Sequence, residues 1–205
     1  MRSVFLRHRR GWVCLGVLLA AIALGCGDDD DPTPPKPDPV PDFRLLDINP
    51  NSPTEGQYVQ LSDLDGQIIM IYNGSADCPT CRGELEAVSM AIDSLTHEGI
   101  TDITGMMIIP TIFQSEFDPQ YLTGLQSALP VLRDTVDVVS GGSAVLELID
   151  CEDYHTFLFI DRDRYEWKKT TVGPLPETAY DFRPAVSPSG YAQLLAWLRE
   201  IDAEE

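Results

Sequence analysis

The sequence has little positive charge and few cysteines. Its 205 residues carry 14 lysines and arginines against 33 aspartates and glutamates, giving a formal net charge of −19 at pH 7. This acidity argues against a nucleic-acid-binding protein and against electrostatic docking on anionic lipid, because both partners attract basic surfaces. Five cysteines are too few for a disulfide-dense scaffold, so each cysteine needs its own explanation.

The sequence also lacks a long hydrophobic run. The basic stretch MRSVFLRHRR is followed by about fifteen mostly apolar residues, which contain Cys14. That length is close to the 7–15 residues of a signal-peptide core and short of the roughly 20 that a bilayer-spanning helix needs. Residues 1–25 are therefore predicted to be a signal peptide, and an uncleaved anchor is the alternative.

The apolar segment ends in Ala23-Leu24-Gly25-Cys26, which resembles a bacterial lipobox. In lipoproteins the cysteine of this motif becomes the lipidated first residue of the mature chain. Ala23 stands where the leucine of the motif is usual. The resemblance implies a lipid anchor on Cys26 that holds the protein to a membrane of the bacterial cell envelope, with its body in the extracytoplasmic space.

Residues 26–42 are predicted to be a disordered linker. Four consecutive aspartates and six prolines between Pro32 and Pro41 cannot build a core. Proline-rich chain favours an extended spacer, and we interpret the aspartates as solvated charge rather than as a metal site. The folded domain is predicted to occupy residues 43–205.

The domain has the composition and patterning of an α/β protein. Hydrophobic residues make up 43% of the chain and charged residues 23%, which is typical of a globular protein. A short alternating segment begins at Val59, and continuous apolar runs lie at residues 68–72, 106–109 and 157–160. Such runs indicate strands that are buried on both faces of a central sheet.

Helical patterns lie between these strands. After Cys81, apolar residues recur at helical spacing up to Gly99, which is suited to a C-terminal cap. Asp118-Pro119 has the form of a helix start. Ser187 or Ser189 can cap a last helix with an apolar face. The segment 173–184 has no clear period and is predicted to be a loop.

Cys78-Pro79-Thr80-Cys81 is the most informative motif because it follows a predicted strand and opens a predicted helix. A helix N-terminus favours a thiolate, which is the form that attacks a disulfide. A second cysteine one turn later can then resolve the mixed disulfide. A structural zinc half-site and an inert disulfide are the alternatives, but no second CxxC or CxxH pair completes four zinc ligands.

Around this motif the sequence resembles the redoxin branch of the thioredoxin superfamily, which includes membrane-tethered thiol–disulfide oxidoreductases and peroxiredoxins. The resemblance runs through DFRLLDIN, VQLSDLDGQIIMIYNGSADCPTCRGELEAV, LPVLRD and TFLFIDRD, within residues 42–163. It implies a thioredoxin-like fold with a central mixed sheet flanked by helices. It also implies Cys78 as the nucleophile, Cys81 as the resolving residue, and protein thiols or disulfides of the envelope as partners.

Three departures from the family pattern bear on function. Asp77 replaces the usual tryptophan before the motif, and its charge would oppose a thiolate unless Arg82 offsets it. His155 occupies roughly the place of the family's cis-proline, where it would be a general base, a metal ligand or a loop residue without a role. Cys151 lies four residues earlier and is either buried or a third thiolate.

The peroxiredoxin branch fits less well. Ser75 can replace the threonine of its active-site motif, but Ile71 stands where that motif has proline.

We therefore consider three functions. The first is an extracytoplasmic thiol–disulfide oxidoreductase that uses Cys78 and Cys81 and needs no cofactor. The second is a copper chaperone similar to the Sco family, which would bind copper through these two cysteines with His155 or Cys151. The third is a redox-silent binding module that keeps the fold.

Overall fold

Seven strands form one mixed sheet within the part of the chain that is described. The structure is a computed structural model that describes residues 38–75, 77–110, 122, 124–134, 144–171, 183–185 and 187–204. The strands are β1 (Arg44–Asp47), β2 (Tyr58–Gln60), β3 (Ile68–Asn73), β4 (Ile103–Ile109), β5 (Val131–Arg133), β6 (Thr156–Ile160) and β7 (Glu166–Thr171). Their order across the sheet is β2-β1-β5-β4-β3-β6-β7.

Three α-helices are described with this sheet. They are α1 (Pro79–Glu98), α2 (Ala144–Leu148) and α3 (Pro188–Ala203), and a short 3-10 helix covers Leu61–Leu64. No helix in the described residues is both long enough and apolar enough to cross a membrane. The predicted helix start at Asp118-Pro119, the N-terminal segment with Cys26, and residues 173–182 of the predicted loop lie outside the described residues.

The centre of the sheet is a parallel β3–α1–β4 unit. All six residues of β3 are buried, which explains its continuous apolar sequence. The register with β4 runs from Ile68↔Ile103 to Asn73↔Ile108. On its other side β3 pairs antiparallel with β6, with Tyr72 opposite Phe157. The predicted central strands are confirmed.

Helix α1 begins and ends at the residues that the sequence predicted. Cys78 is the N-cap and Pro79 takes the first helical position, where its missing N–H leaves no hydrogen bond unmade. Gly99 ends the helix with a φ of 102°, a left-handed conformation that glycine adopts without steric cost. Leu85 and Leu95 are fully buried beneath it, and each contributes roughly 1.5–3 kcal/mol of hydrophobic stabilisation.

Helix α3 covers the same face of the sheet as α1. The Ser187 hydroxyl accepts the N–H of Gly190 at 3.2 Å, which confirms one of the two predicted caps. Leu194, Leu198 and Ile201 are buried in the cluster that also contains the inward residues of α1. The other face of the sheet is covered by α2 and by the chain around Val40, in a second cluster.

The sequence pattern gave no indication of β7. The strand has the sequence EWKKTT, and five of its six residues are half-buried. An edge strand pairs on one side only, so it tolerates lysine and threonine where a central strand would not. Its hydrogen bonds to β6 form an antiparallel pair that places Thr156 opposite Thr171.

Candidate redox site

Cys78 and Cys81 lie where β3 passes into α1, and the two thiols differ in exposure. Cys78 is half-buried, whereas Cys81 is 0% exposed. The backbone N–H of Cys81 donates to Cys78 Sγ at 3.3 Å. Both are free thiols, so this is the dithiol form. A partner can therefore reach Cys78, whose sulfur accepts an N–H at the N-terminus of α1.

Two side chains from the turn before β6 contact the buried thiol. Cys81 Sγ lies 3.1 Å from the hydroxyl of Tyr154 and 3.7 Å from Nδ1 of His155. Burial raises the pKa of Cys81 to about 12, the hydrogen bond to Cys78 also raises it, and hydrogen bonds from Tyr154 and Tyr72 lower it. Cys81 is thus a protonated thiol at neutral pH, and its deprotonation requires a nearby acceptor.

His155 is held in an unusual backbone conformation beside that thiol. Its φ is 66°, in the left-handed region that few non-glycine residues occupy. Its N–H donates to the carbonyl of Asn73 at 3.0 Å, and its Nδ1 lies 2.8 Å from the hydroxyl of Tyr72. Burial lowers the pKa of His155, and the charge of Arg183 lowers it further. At neutral pH the imidazole is therefore neutral and can accept a proton or bind a metal.

A buried carboxyl group lies one helical turn beyond the cysteines. Glu84 is 0% exposed, and its Oε2 accepts the N–H of Ala185 at 3.0 Å. Burial raises the pKa of Glu84 to about 6, against the opposing effects of that N–H and of Arg183. Its Oε1 has no hydrogen-bond partner among the described residues. Glu84 therefore changes protonation close to neutral pH.

The predicted supporting residues Asp77 and Arg82 lie on the turn and the first helical turn of α1. Asp77 is exposed and accepts a hydrogen bond from the hydroxyl of Ser75. Arg82 is half-buried, and its backbone N–H donates to the Cys78 carbonyl at 3.1 Å. These contacts stabilise the entry into the helix.

Cys151 belongs to the cluster on the other face of the sheet and is 1% exposed. Burial raises its pKa to about 12, so it behaves as a small apolar side chain. The ligand atoms that converge to within 4.8 Å of one another belong to Cys78, Cys81 and His155. Of the two ligand sets considered from the sequence, the one with His155 is assembled in the structure.

The sequence interpretation missed three side chains of this site: Tyr72, Tyr154 and Glu84. Tyr72 resembles one more apolar residue of a buried strand, and Tyr154 lies in a polar turn. Glu84 could have been noticed, since it follows Cys81 by three residues and so shares the inward face of α1 with Leu85 and Val88.

No protein-family model matches the sequence, and no curated protein matches it either. Solved structures do match. The thioredoxin domain of a thiol-disulfide oxidoreductase from Bacteroides vulgatus is 15% identical, with a TM-score of 0.53, over 78% of this chain and 95% of that one. An exposed lipoprotein thioredoxin from Streptococcus pneumoniae is 21% identical, with a TM-score of 0.53, over 78% and 99%.

A third matching structure contains a metal ion. ScoI from Arabidopsis thaliana, solved with copper bound, is 14% identical, with a TM-score of 0.57, over 82% of this chain and all of that one (100%). At these identities the likeness concerns the fold. The mixed sheet, the flanking helices and the cysteine pair at the start of α1 agree with it, and the chain therefore has the thioredoxin-like fold that its sequence predicted.

Proposed function

We propose that the protein is a thiol–disulfide oxidoreductase whose substrates are protein thiols and disulfides. The observation that carries the proposal is the asymmetry of the Cys78–Cys81 pair at the N-terminus of α1. One sulfur is accessible and accepts a helix N–H, and the other is fully buried in contact with Tyr154 and His155. An accessible nucleophile with a shielded resolving thiol is the arrangement that dithiol exchange needs.

In the reducing direction, the Cys78 thiolate attacks one sulfur of a substrate disulfide. A bond forms between Cys78 and that sulfur, the substrate S–S bond breaks, and the other substrate sulfur leaves as a thiolate and takes up a proton. Cys81 then loses its proton and attacks Cys78 Sγ. The Cys78–Cys81 disulfide forms, the mixed disulfide breaks, and the second substrate sulfur leaves as a thiolate that takes up a proton. Two electrons pass from the protein to the substrate, and the reverse sequence oxidises a substrate dithiol.

A proton acceptor for Cys81 lies close to it. His155 Nδ1 is 3.7 Å from Cys81 Sγ, and the imidazole is neutral at neutral pH. Glu84 follows Cys81 by three residues and is also buried on α1. The hydroxyl of Tyr154 can donate to the thiolate once it forms.

Insulin reduction and a redox titration of the full-length protein test this function. Cys78→Ser should abolish turnover, and Cys81→Ser should trap a mixed disulfide through Cys78 that a non-reducing gel detects. Cys151→Ala is the matched control, because Cys151 lies in the cluster on the other face of the sheet, and it should keep turnover. Turnover that survives Cys78→Ser would exclude the proposal.

Copper binding is the second candidate, with Cu(I) as the cargo. It is favoured by the convergence of two sulfurs and one imidazole nitrogen within 4.8 Å of one another. Soft thiolates with imidazole suit Cu(I), and a neutral His155 is in the form that binds metal. The copper-bound ScoI structure has the same fold.

The variant His155→Asn separates the two candidates, because asparagine tolerates a positive φ but is a poor ligand for Cu(I). A copper carrier should lose most of its affinity for Cu(I) in a chelator competition. A dithiol oxidoreductase should keep its reversible Cys78–Cys81 disulfide in the same variant. A protein unable to hold Cu(I) against a weak chelator is not a copper carrier.

We further propose that Cys26 carries the lipid that tethers the protein to the envelope membrane. The support is the lipobox-like Ala23-Leu24-Gly25-Cys26 after a signal-peptide core. Metabolic labelling with a radioactive fatty acid should mark the protein, and Cys26→Ala should remove the label and release the protein from the membrane fraction. Equal labelling of both proteins would exclude the anchor.

A further inference from the structure

Asn73 is a fully buried amide that directs its donors at one loop. It is the last residue of β3 and is 0% exposed. Its Nδ2 lies 2.7 Å from the carbonyl oxygen of Cys151, 3.2 Å from that of Glu152 and 3.0 Å from that of Asp153. Carbonyl oxygens only accept, so the atom that faces them is the amide nitrogen, and its two hydrogens are shared among three acceptors.

The main chain of Asn73 binds the same loop a few residues later, at His155. Its carbonyl accepts the N–H of His155 at 3.0 Å. The preceding residue, Tyr72, contacts the imidazole through its hydroxyl at 2.8 Å. The end of β3 therefore fixes residues 151–155 through a side-chain amide, a backbone carbonyl and a phenol. Tyr154 and His155, which contact Cys81, are the last two residues of that segment.

Two features indicate that this attachment is needed. His155 has a φ of 66°, and a non-glycine residue keeps such a conformation only when its surroundings enforce it. Asn73 Oδ1 is buried and has no hydrogen-bond partner among the described residues. An unsatisfied buried acceptor destabilises a fold. The hydrogen bonds that Asn73 Nδ2 donates to the three loop carbonyls therefore account for an asparagine at this position, although its Oδ1 makes none among the described residues.

We propose that Asn73 is the positioning residue of the redox site, which keeps Tyr154 and His155 in contact with Cys81 by clamping the backbone of residues 151–153. This inference rests on the proposed oxidoreductase function. The contact favours the reduced protein, because the sulfur of a thiol or thiolate is a better hydrogen-bond acceptor than a disulfide sulfur. Without the clamp, the Cys78–Cys81 disulfide should become relatively more stable.

The test is the equilibrium of the full-length protein with reduced and oxidised glutathione. Asn73→Ala should shift the dithiol–disulfide constant towards the disulfide by at least about fivefold, or about 20 mV at about 30 mV per tenfold change. Asn73→Ser keeps one hydrogen-bond donor and should shift the dithiol–disulfide constant less. If the alanine variant does not fold, the serine variant is used for the test instead. In a protein that already carries Tyr154→Phe and His155→Asn, Asn73→Ala should cause no further shift of the constant. The contacts with Cys81 that Asn73 positions are already absent there.

Asn49→Ala is the matched control. Asn49 is also 0% exposed, and its Nδ2 also holds loop carbonyls, those of Ser127 at 3.0 Å and Leu129 at 2.7 Å. It should lower stability but leave the constant unchanged. Equal shifts for Asn49→Ala and Asn73→Ala, or a folded Asn73→Ala variant with the wild-type constant, would overturn the inference. If the wild-type protein shows no reversible disulfide at all, the proposed function has failed instead.

Discussion

The hydroxyl of Tyr154 lies 3.1 Å from Cys81 Sγ, although the two residues are 73 positions apart in the sequence. This contact joins the turn before β6 to the first turn of α1. Burial makes a negative charge on Cys81 unfavourable, and the Tyr154 hydroxyl is a hydrogen-bond donor that can stabilise this charge. The chemistry of Cys81 therefore depends on a residue that the cysteine motif does not contain.

Removing that hydroxyl should change the redox equilibrium. A hydrogen bond of this kind is worth on the order of 1 kcal/mol, so Tyr154→Phe should shift the constant with glutathione towards the disulfide by about fivefold. Tyr191→Phe is the control, since the Tyr191 hydroxyl lies 3.3 Å from Ser94 Oγ on α1. An unchanged constant in Tyr154→Phe would mean that this contact does not distinguish the two redox forms.

The three described cysteines should differ in their reaction with iodoacetamide at pH 7. Cys81 and Cys151 are 0% and 1% exposed, and burial raises the pKa of each to about 12. The reduced, folded protein should therefore be labelled at Cys78 at least about tenfold faster than at the other two. Mass spectrometry of peptides measures the rates, and labelling in denaturant checks that all three react. Equal rates for Cys78 and Cys81 in the folded protein contradict the burial of the resolving thiol.

Glu84 should make the stability of the reduced protein depend on pH. Its pKa is about 6 in the folded protein against a reference value of 4.5, so the folded state binds its proton more tightly than the unfolded state. The contribution of Glu84 to the free energy of unfolding should therefore fall by about 2 kcal/mol in total as the pH rises from about 4.5 to about 6. Above that pH this contribution should stay constant. Urea unfolding measures it against Glu84→Gln, which lacks this component. A wild-type curve parallel to that of the glutamine variant would show that Glu84 is not buried as described.

Gly190 should not tolerate a side chain. A Cβ there would lie 2.6 Å from the backbone nitrogen of Arg183, which cannot move away as a flexible side chain could. Gly190→Ala should therefore cost roughly 1–3 kcal/mol, although alanine is the better helix former. At Gly83, also helical, a Cβ would lie 3.3 Å from Ala185 Cβ, and Gly83→Ala should be near neutral in the same unfolding assay. A fully stable Gly190→Ala protein would refute this close approach.

The sequence was informative where one local pattern determines one element. Helical spacing ending at Gly99 predicted α1, the continuous apolar runs predicted β3, β4 and β6, and the Cys78–Cys81 spacing predicted a pair of thiols at a helix start. Each depends only on neighbours along the chain. Strand β7 was missed because an edge strand needs neither alternation nor a high apolar content.

The site itself depends on contacts between distant segments, and the spacing of residues along the sequence does not reveal such contacts. His155 was predicted near the thiols through a family resemblance, but the roles of Tyr72 and Asn73 follow from the pairing of β3 with β6. The position of Cys151 was left open, because it lies in the connection between α2 and β6, where neither helical nor strand periodicity assigns a side chain to a face of the sheet. Its burial on the opposite face needed the structure.

The place of β1 in the sheet sets an order for folding. Its partners are β2 and β5, and Leu46 pairs with Arg133 from far along the chain. A hairpin of two strands is only marginally stable alone, and pairing across a long loop carries a large entropic cost. We therefore expect the β3–α1–β4 unit, which carries both redox cysteines, to form before the N-terminal hairpin can dock. In a chain that emerges N-terminus first, β1 and β2 must wait until residues 131–133 have been made.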